Sequence, residues 1–320
     1  MKAAVYHRYG PPDVVRIEEV PRPDPKANEL LVRVRATTVS AGDARLRGAR
    51  VPPGFGMLLR VGFGIFGPRK PILGWDFAGE IAAVGPSVSG FAKGDRVFGM
   101  RMGSHAEYVT VPTTNVAPMP RTLTFEDAVA LVFGGMTSIV YLRDKGKVQP
   151  GERVLINGAA GAVGTAAVQL AKHFGGIVTA VCSTGNAELV KSLGAARVID
   201  YAREDFTHTG ETYDIILDAV GNCSFARCER ALSPGGRLLL VVASLGQILG
   251  AMLRPSRANR RVLTAVGSQR LDDLVFLGSL AESGALKPVI ARTYPLARIV
   301  DAHAHVDTGH KTGSVVIAPV

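Results

Sequence analysis

Residues 155–176 read LINGAAGAVGTAAVQLAKHFGG: an apolar run, a turn made almost wholly of Gly and Ala, then a segment of helical composition. The apolar run is too short for a buried helix and is bounded by turn residues, so 153–157 reads as a strand. The helix opens on Ala162, Val163 and Gly164 and runs to about Phe174. A strand that passes through a small-residue turn directly into a helix presents the helix's unpaired N–H groups, with their partial positive charge, to whatever approaches the turn. Gly161 lets a backbone come close to an anionic group, and Gly164 lets helix and strand pack. The spacing is A-x-G-x-x-G, with Ala159 where glycine is usual and Gly158 just before it. Such a turn can also serve only to pack two backbones. Strand, turn, helix and next strand in sequence favour a pyrophosphate cradle formed by Ala159, Gly161, Ala162, Val163 and Gly164.

The next strand ends in CSTGN (182–186). In an NAD site a carboxylate at this point bonds the ribose 2′-hydroxyl and repels a 2′-phosphate. None stands here. Ser183, Thr184 and Asn186 offer hydroxyl and amide groups instead, which favours NADPH and leaves NADH open, because no basic residue completes the pocket. The same residues are ordinary helix-cap composition.

Outward from this core the grammar changes twice. The first 118 residues read as short strands with frequent turns: AAVYHRYG, ELLVRVRATTVS, FAGEIAAVG, DRVFGM and HAEYVTV. From Thr124, a plausible N-cap with Asp127 three residues on, helices alternate with the apolar runs RVLIN, GIVTAVC, RVID, YDIILDAV and GGRLLLVV, the pattern of a parallel sheet covered on both faces. The tail reads helix, strand, helix, strand. The chain is therefore α/β, with a β-rich unit at 1–118, a doubly wound parallel-sheet unit at 119–266 and a terminal segment at 267–320.

At 320 residues, with 47% hydrophobic and 20% charged composition, two domains with a sizeable core are expected and disorder is not. The net charge of +10 is spread along the chain, and its densest stretch (Arg45, Arg47, Arg50, Arg60, Arg69, Lys70) lacks interleaved stacking aromatics, which argues against nucleic acid. Three cysteines support neither a disulfide framework nor a zinc lobe and fit a reducing cytoplasm. No apolar run approaches the ~18 residues of a membrane span. The longest, LLLVVASLGQILGAML (238–253), reads as a buried strand followed by a loop.

Taken in order, VSAGDARLRG (39–48), PILGWDFAGEIAAVG (71–85), GDRVFGM (94–100), HAEYVTVP (105–112), ALVFGGMTS (130–138), SLGAARVIDY (192–201), YDIILDAVG (213–221) and GHKTGSVVI (309–317) resemble the medium-chain dehydrogenase/reductase superfamily. Within it the resemblance is to the zinc-independent quinone oxidoreductase-like branch. It implies a GroES-like substrate domain, a Rossmann domain and a C-terminal segment that returns to the first. The positions that hold catalytic zinc in metal-dependent members correspond to Ser40, Trp75 and Phe133, which make no competent ligand set. Asp76 and Glu80 then read as core or cleft-side hydrogen-bonding groups, and His303 and His305 as surface or packing residues.

The resemblance further places Ser40 and Asp43 where the substrate domain meets nicotinamide, Thr137 where a hydroxyl contacts the nicotinamide end, and Tyr201 near the adenosine phosphate. Asp43 reads equally as a loop acid paired with Arg45 or Arg47. The implied activity is hydride transfer from NADPH to a quinone, enone or related carbonyl compound. Metal-free alcohol/aldehyde interconversion and a non-catalytic NADPH-binding scaffold are the other readings. The partners implied are a small hydrophobic carbonyl, quinone or enone and a second copy of the chain, with neither nucleic acid nor membrane. Residues 48–71, apolar and Gly-rich, read either as a lid over the cleft or as a packing element. Ser314 stands where relatives carry a lysine, which implies a weaker cationic contact to the cofactor.

Overall fold

The computed structural model describes residues 1–253, 259–265 and 270–318. β1 (Lys2–Tyr6) and β2 (Val15–Glu19) form a small antiparallel sheet. β3 (Glu29–Val39) is followed by two short helices, α1 (Ala41–Arg47) and α2 (Gly56–Phe63). β4 (Asp76–Val84), β5 (Arg96–Met100), β6 (Tyr108–Pro112) and β7 (Val116–Pro118) complete an antiparallel array in which β3 pairs with β4 and β6, β4 with β5, and β5 with β7. The strand-only reading of this region missed α1, while α2 falls in the 48–71 stretch read as either a lid or a helix-and-loop packing element. Each spans about two turns, too short to display a helical period in the sequence.

α3 (Phe125–Ile139) starts where Thr124 Oγ1 accepts the Asp127 N–H at 3.1 Å, and it widens at its end into a π-helical turn, Val140–Gly146. Together they make a 22-residue helix that is long and apolar enough to cross a bilayer, which the sequence reading overlooked. It lies inside the fold, with 72% of its most apolar window buried. On one side it packs against β3, β4 and β5, on the other against the Rossmann unit. One continuous core therefore runs from Ala36, Ala78 and Phe98 through Val132 and Met136 to Val154 and Ile215.

The parallel sheet is built from β8 (Arg153–Asn157), α4 (Ala162–His173), β9 (Ile177–Cys182), α5 (Ala187–Ser192), β10 (Arg197–Asp200), β11 (Tyr213–Asp218), α6 (Phe225–Cys228), β12 (Leu232–Leu240), α7 (Leu245–Leu253) and β13 (Arg261–Leu263). Its spatial order is β10-β9-β8-β11-β12-β13, all parallel. The direction of winding reverses between β8 and β11, and a doubly wound sheet opens its ligand crevice at that point. Residues 238–253 continue from the strand into helix α7 where a loop was expected: Ser244 Oγ accepts the Gln247 N–H at 3.2 Å and Gln247 returns a bond to the Ser244 N–H at 2.8 Å, a cap that the alternating Gly and Ser had disguised.

α8 (Leu271–Glu282) packs on α3. β14 (Ile290–Pro295), α9 (Ile299–Asp307) and β15 (Ser314–Ala318) then carry the chain back to the first sheet, where β15 lies between β14 and β3.

Candidate active site and cofactor cleft

The glycine turn hangs from β9: the N–H groups of Gly158 and Ala159 both donate to Val181 O, at 3.2 and 3.0 Å. Gly158 has φ +81°, a conformation in which a side chain is strained. Ala159 is fully buried with its N–H consumed, so it shapes the turn and offers no donor to a ligand. The two other glycines do different work. A Cβ on Gly164 would lie 2.1 Å from Gly158 O and 2.6 Å from the Ala159 backbone, so this glycine is required by the turn itself. A Cβ on Gly161 would meet only Gly158 O, at 3.7 Å, which leaves its outer side open.

Gly161 is the N-cap of α4 and no side chain caps that helix. The first intrahelical bond runs from Thr165 N–H to Gly161 O, so the N–H groups of Val163 and Gly164 have no acceptor within the helix and can meet an anion, while the Ala162 N–H faces Gly313 O in the bridge between Gly161 and Gly313. α3 fixes this first turn from behind, through Ser138 Oγ to Val163 O at 3.1 Å and by the close approach of Gly134 to Ala162 O.

The loop before β15 lands on the same turn. Gly313 N–H donates to Ala160 O at 2.8 Å, and Lys311 Nζ donates to Gly313 O at 2.7 Å. Lys311 has no carboxylate partner among the described residues, and burial pushes its ammonium down to about 8. A cation thus stands beside the cradle three residues before Ser314. Thr312 Oγ1 donates to Asn186 Oδ1 at 3.0 Å, and Asn186 Nδ2 to Ser183 Oγ at 3.1 Å, so Asn186 ties the terminal loop to the end of β9.

The pocket that the sequence reading took as free of carboxylates contains one. Asp200, at the end of β10, accepts a hydrogen bond from Thr184 Oγ1 and another from the Ala202 N–H at 3.0 Å. These bonds hold its carboxyl below the ordinary range, with Arg203 at 3.6 Å. β9 and β10 run parallel with Cys182 opposite Asp200, and this places a residue 16 positions later beside Thr184. Tyr201, next to it, is exposed.

Between the β-rich sheet and the strand ends lies a cavity of about 290 Å³. Ala41, Gly42 and Arg45 line it from α1, Met100 from β5, Phe133, Met136, Thr137, Val140 and Tyr141 from α3 and its π turn, Val163 from α4, and Ala219, Val241, Val242 and Ala265 from the Rossmann side. Polar side chains are few. The Tyr141 hydroxyl donates to Leu240 O at 2.8 Å, lies 3.2 Å from Ala265 O and accepts the Ala265 N–H at 3.0 Å, and burial raises its pKa. The Thr137 hydroxyl has no partner among the described residues.

Ser40 and Asp43 do not line this cavity. Asp43 is fully buried: Oδ2 accepts the Ser40 N–H at 2.8 Å and the Ser40 hydroxyl at 2.6 Å, and Oδ1 accepts the Gly74 N–H at 2.9 Å. This capping box orders α1 and presents Ala41 and Gly42 to the cleft. Asp43 pairs with neither Arg45 nor Arg47; Arg47 binds Asp307. Asp76 is buried behind it, with Thr38 donating to Oδ2 at 2.8 Å, Oδ1 unpartnered, and its carboxyl pushed up to about 8 by burial. Glu80 pairs with Arg35 at the half-exposed edge. Of the three positions considered for zinc, Ser40 caps a helix and Phe133 lines the cavity, while among the described residues no three His, Cys, Asp or Glu side chains converge. His303 is buried edge-on to His105 with ring centroids 5.7 Å apart, and His305 faces Tyr294. Among the described residues, none of 48–71 lines the cavity. They form α2 and a turn, tied to the start of α7 by Leu245 N–H to Pro53 O at 3.0 Å.

Residues 26–121 match the alcohol dehydrogenase GroES-like domain family, and residues 193–317 the family described as zinc-binding dehydrogenase. The 2-methylene-furan-3-one reductase of Solanum lycopersicum is 33% identical over 335 residues, covering 100% of this chain and 79% of that protein. The chloroplastic NADPH-dependent alkenal/one oxidoreductase of Arabidopsis thaliana is 31% identical, over 100% of this chain and 80% of that one. Among solved structures, the quinone oxidoreductase from Coxiella burnetii superposes with a TM-score of 0.89 at 28% identity, covering 100% of this chain and 99% of its own.

The chain belongs to the medium-chain dehydrogenase/reductase superfamily, in its quinone oxidoreductase-like branch. As a member it is an oxidoreductase that takes a nicotinamide cofactor, and its residues fit that group. The open side of Gly161, the N–H groups of Val163 and Gly164 in the first turn of α4 and the Lys311 ammonium suit a pyrophosphate. Sequence reasoning missed Lys311, Thr312, Asp200, Arg45 and Tyr141. The residue types were visible, but nothing in their spacing announced that these segments meet.

Proposed function

We propose that this enzyme reduces the activated double bond of an enone, or a quinone, with NADPH in preference to NADH and without a metal ion. The observation that carries this reading is the cavity wall: among the described residues it is largely apolar, without a carboxylate or imidazole, and with Thr137 as its one uncommitted hydroxyl. Oxidising an alcohol requires a base or a Lewis acid to take the hydroxyl proton. The wall supplies no base, Tyr141 is engaged by backbone groups, and Ser40, Trp75 and Phe133 are no zinc set. When bound, NADPH supplies a hydride to an electrophilic carbon whose conjugated oxygen takes up the charge. The protein's part is to bind, orient and exclude water: Phe133, Met136 and Val242 form a dry wall, Thr137 offers one hydrogen bond, and solvent at the mouth provides the proton.

Ser183 and Thr184 support NADPH, as does the name of the Arabidopsis relative, while Asp200 works against a 2′-phosphate and keeps NADH in play. Following NADPH and NADH oxidation at 340 nm across a panel of enones, quinones, aldehydes and ketones tests the reading. Turnover confined to aldehydes, or no substrate-dependent oxidation, would sink it. Activity that vanishes on chelation and returns with stoichiometric zinc would overturn the metal-free part.

A further inference from the structure

Enone reduction leaves one group on the cavity wall unexplained. Arg45 lies half-buried among otherwise largely apolar lining, and no hydrogen bond or ion pair from any described residue reaches its guanidinium. Its neighbours differ: Arg47 and Arg50 both bind Asp307, and Arg35 binds Glu80. Asp43 and Asp76, the buried acids behind α1, are committed elsewhere, Asp43 to Ser40 and Gly74, Asp76 to Thr38. Burial lowers the Arg45 pKa with no carboxylate to offset it, yet a guanidinium stays charged at any working pH. A desolvated charge without a partner is costly and is found where a ligand brings the counter-charge. The guanidinium fork matches a carboxylate, and the chain's net charge of +10 draws anions toward it.

We propose that Arg45 binds a carboxylate of the substrate, so that the preferred acceptors are enones bearing an acid group, with the carbon skeleton held against the apolar wall. The proposal rests on the enone-reductase reading and narrows it.

The test compares (E)-6-oxohept-4-enoic acid with its methyl ester, in which two methylenes insulate the carboxyl from the enone, so that the pair shares the reducible unit and differs in charge. The acid should be favoured about tenfold to a hundredfold in kcat/KM, mainly through KM, the range of one charge-assisted contact. That preference should fall with ionic strength, collapse toward unity in Arg45→Gln and survive in part in Arg45→Lys. A wild-type ratio near one, or a ratio that Arg45→Gln leaves intact, overturns the proposal. So does an equal loss of kcat on acid and ester, which would put Arg45 on the carbonyl oxygen. A binding measurement is independent of turnover: in the presence of NADP⁺, the saturated 6-oxoheptanoic acid should raise the Tm of the wild type more than its methyl ester does. Equal shifts refute the anion site. Failure to oxidise NADPH with either enone, alongside a selective shift by the acid, would fault the reductase reading and leave the anion site standing.

Discussion

Gly161→Ala and Gly164→Ala separate the two duties of the glycine turn. Gly161 has φ −76° and ψ 175°, which alanine adopts without strain, and its added methyl would meet nothing nearer than Gly158 O at 3.7 Å. The fold should therefore tolerate it, or even gain up to about 1 kcal/mol from the reduced freedom of the unfolded chain. The methyl occupies the space a phosphate must enter to reach the N–H groups of Val163 and Gly164. Losing one charge-assisted bond costs about 1.5 to 3 kcal/mol, roughly a tenfold to hundredfold rise in the Kd for NADPH. Gly164→Ala instead drives a methyl to 2.1 Å from Gly158 O and 2.6 Å from the Ala159 backbone. Backbone cannot step aside as a side-chain tip can, so the loss falls on stability, at about 1 to 3 kcal/mol or more. NADPH fluorescence titration and thermal melts of the free proteins read the two effects. Gly161→Ala binding NADPH as tightly as wild type would refute the cradle, and a Gly164→Ala protein melting with the wild type would refute the packing argument.

Asp76 is a neutral acid in the fold at about 8 but ionises near 3.8 when unfolded, so it lowers stability progressively as pH rises from about 4 to 8. At pH 7 that amounts to about 4 kcal/mol; less about 1 to 3 kcal/mol for an unpaired amide, Asp76→Asn should be more stable than wild type at pH 7, with an advantage that disappears near pH 4. Urea denaturation from pH 4 to 9 checks this, and an advantage independent of pH would refute it. Lys311, at about 8 in the free protein, should lose its charge as pH rises through that value, so NADPH affinity should decline above pH 8 in wild type. Lys311→Met should bind about tenfold more weakly at pH 7 with a flat profile from pH 7 to 9; parallel profiles for the two proteins would remove Lys311 from the site. Asp200→Asn removes a charge that opposes a 2′-phosphate and should raise the NADPH over NADH preference roughly fivefold, measured as the ratio of kcat/KM values; an unchanged ratio would place Asp200 away from the ribose.

The local sequence carried the Rossmann core because its message is short-range. The residues from 153 to 174 form strand, turn and helix within one stretch of chain, and their glycines are dictated by atoms a few positions away, as Gly164 is by Gly158. Thr124 before α3 was legible for the same reason. The Ser40/Asp43 box spans three residues too, yet α1 escaped notice because seven residues cannot show a period. The apparent lack of a carboxylate beside Thr184 came from reading one strand end where the parallel register supplies two.

What the sequence determined by itself was the order of elements, the small-residue turn and the absence of thiol and imidazole at Ser40, Trp75 and Phe133. Tertiary structure decided which charges face which site. Asp43 turns inward because its oxygens are claimed by Ser40 and Gly74, Lys311 reaches the turn because β15 joins the first sheet, and Arg45 faces the cavity without a partner among the described residues while Arg47 and Arg50 turn to Asp307. Charge acts through space, and the sequence does not display which distant segments will lie within a few ångströms.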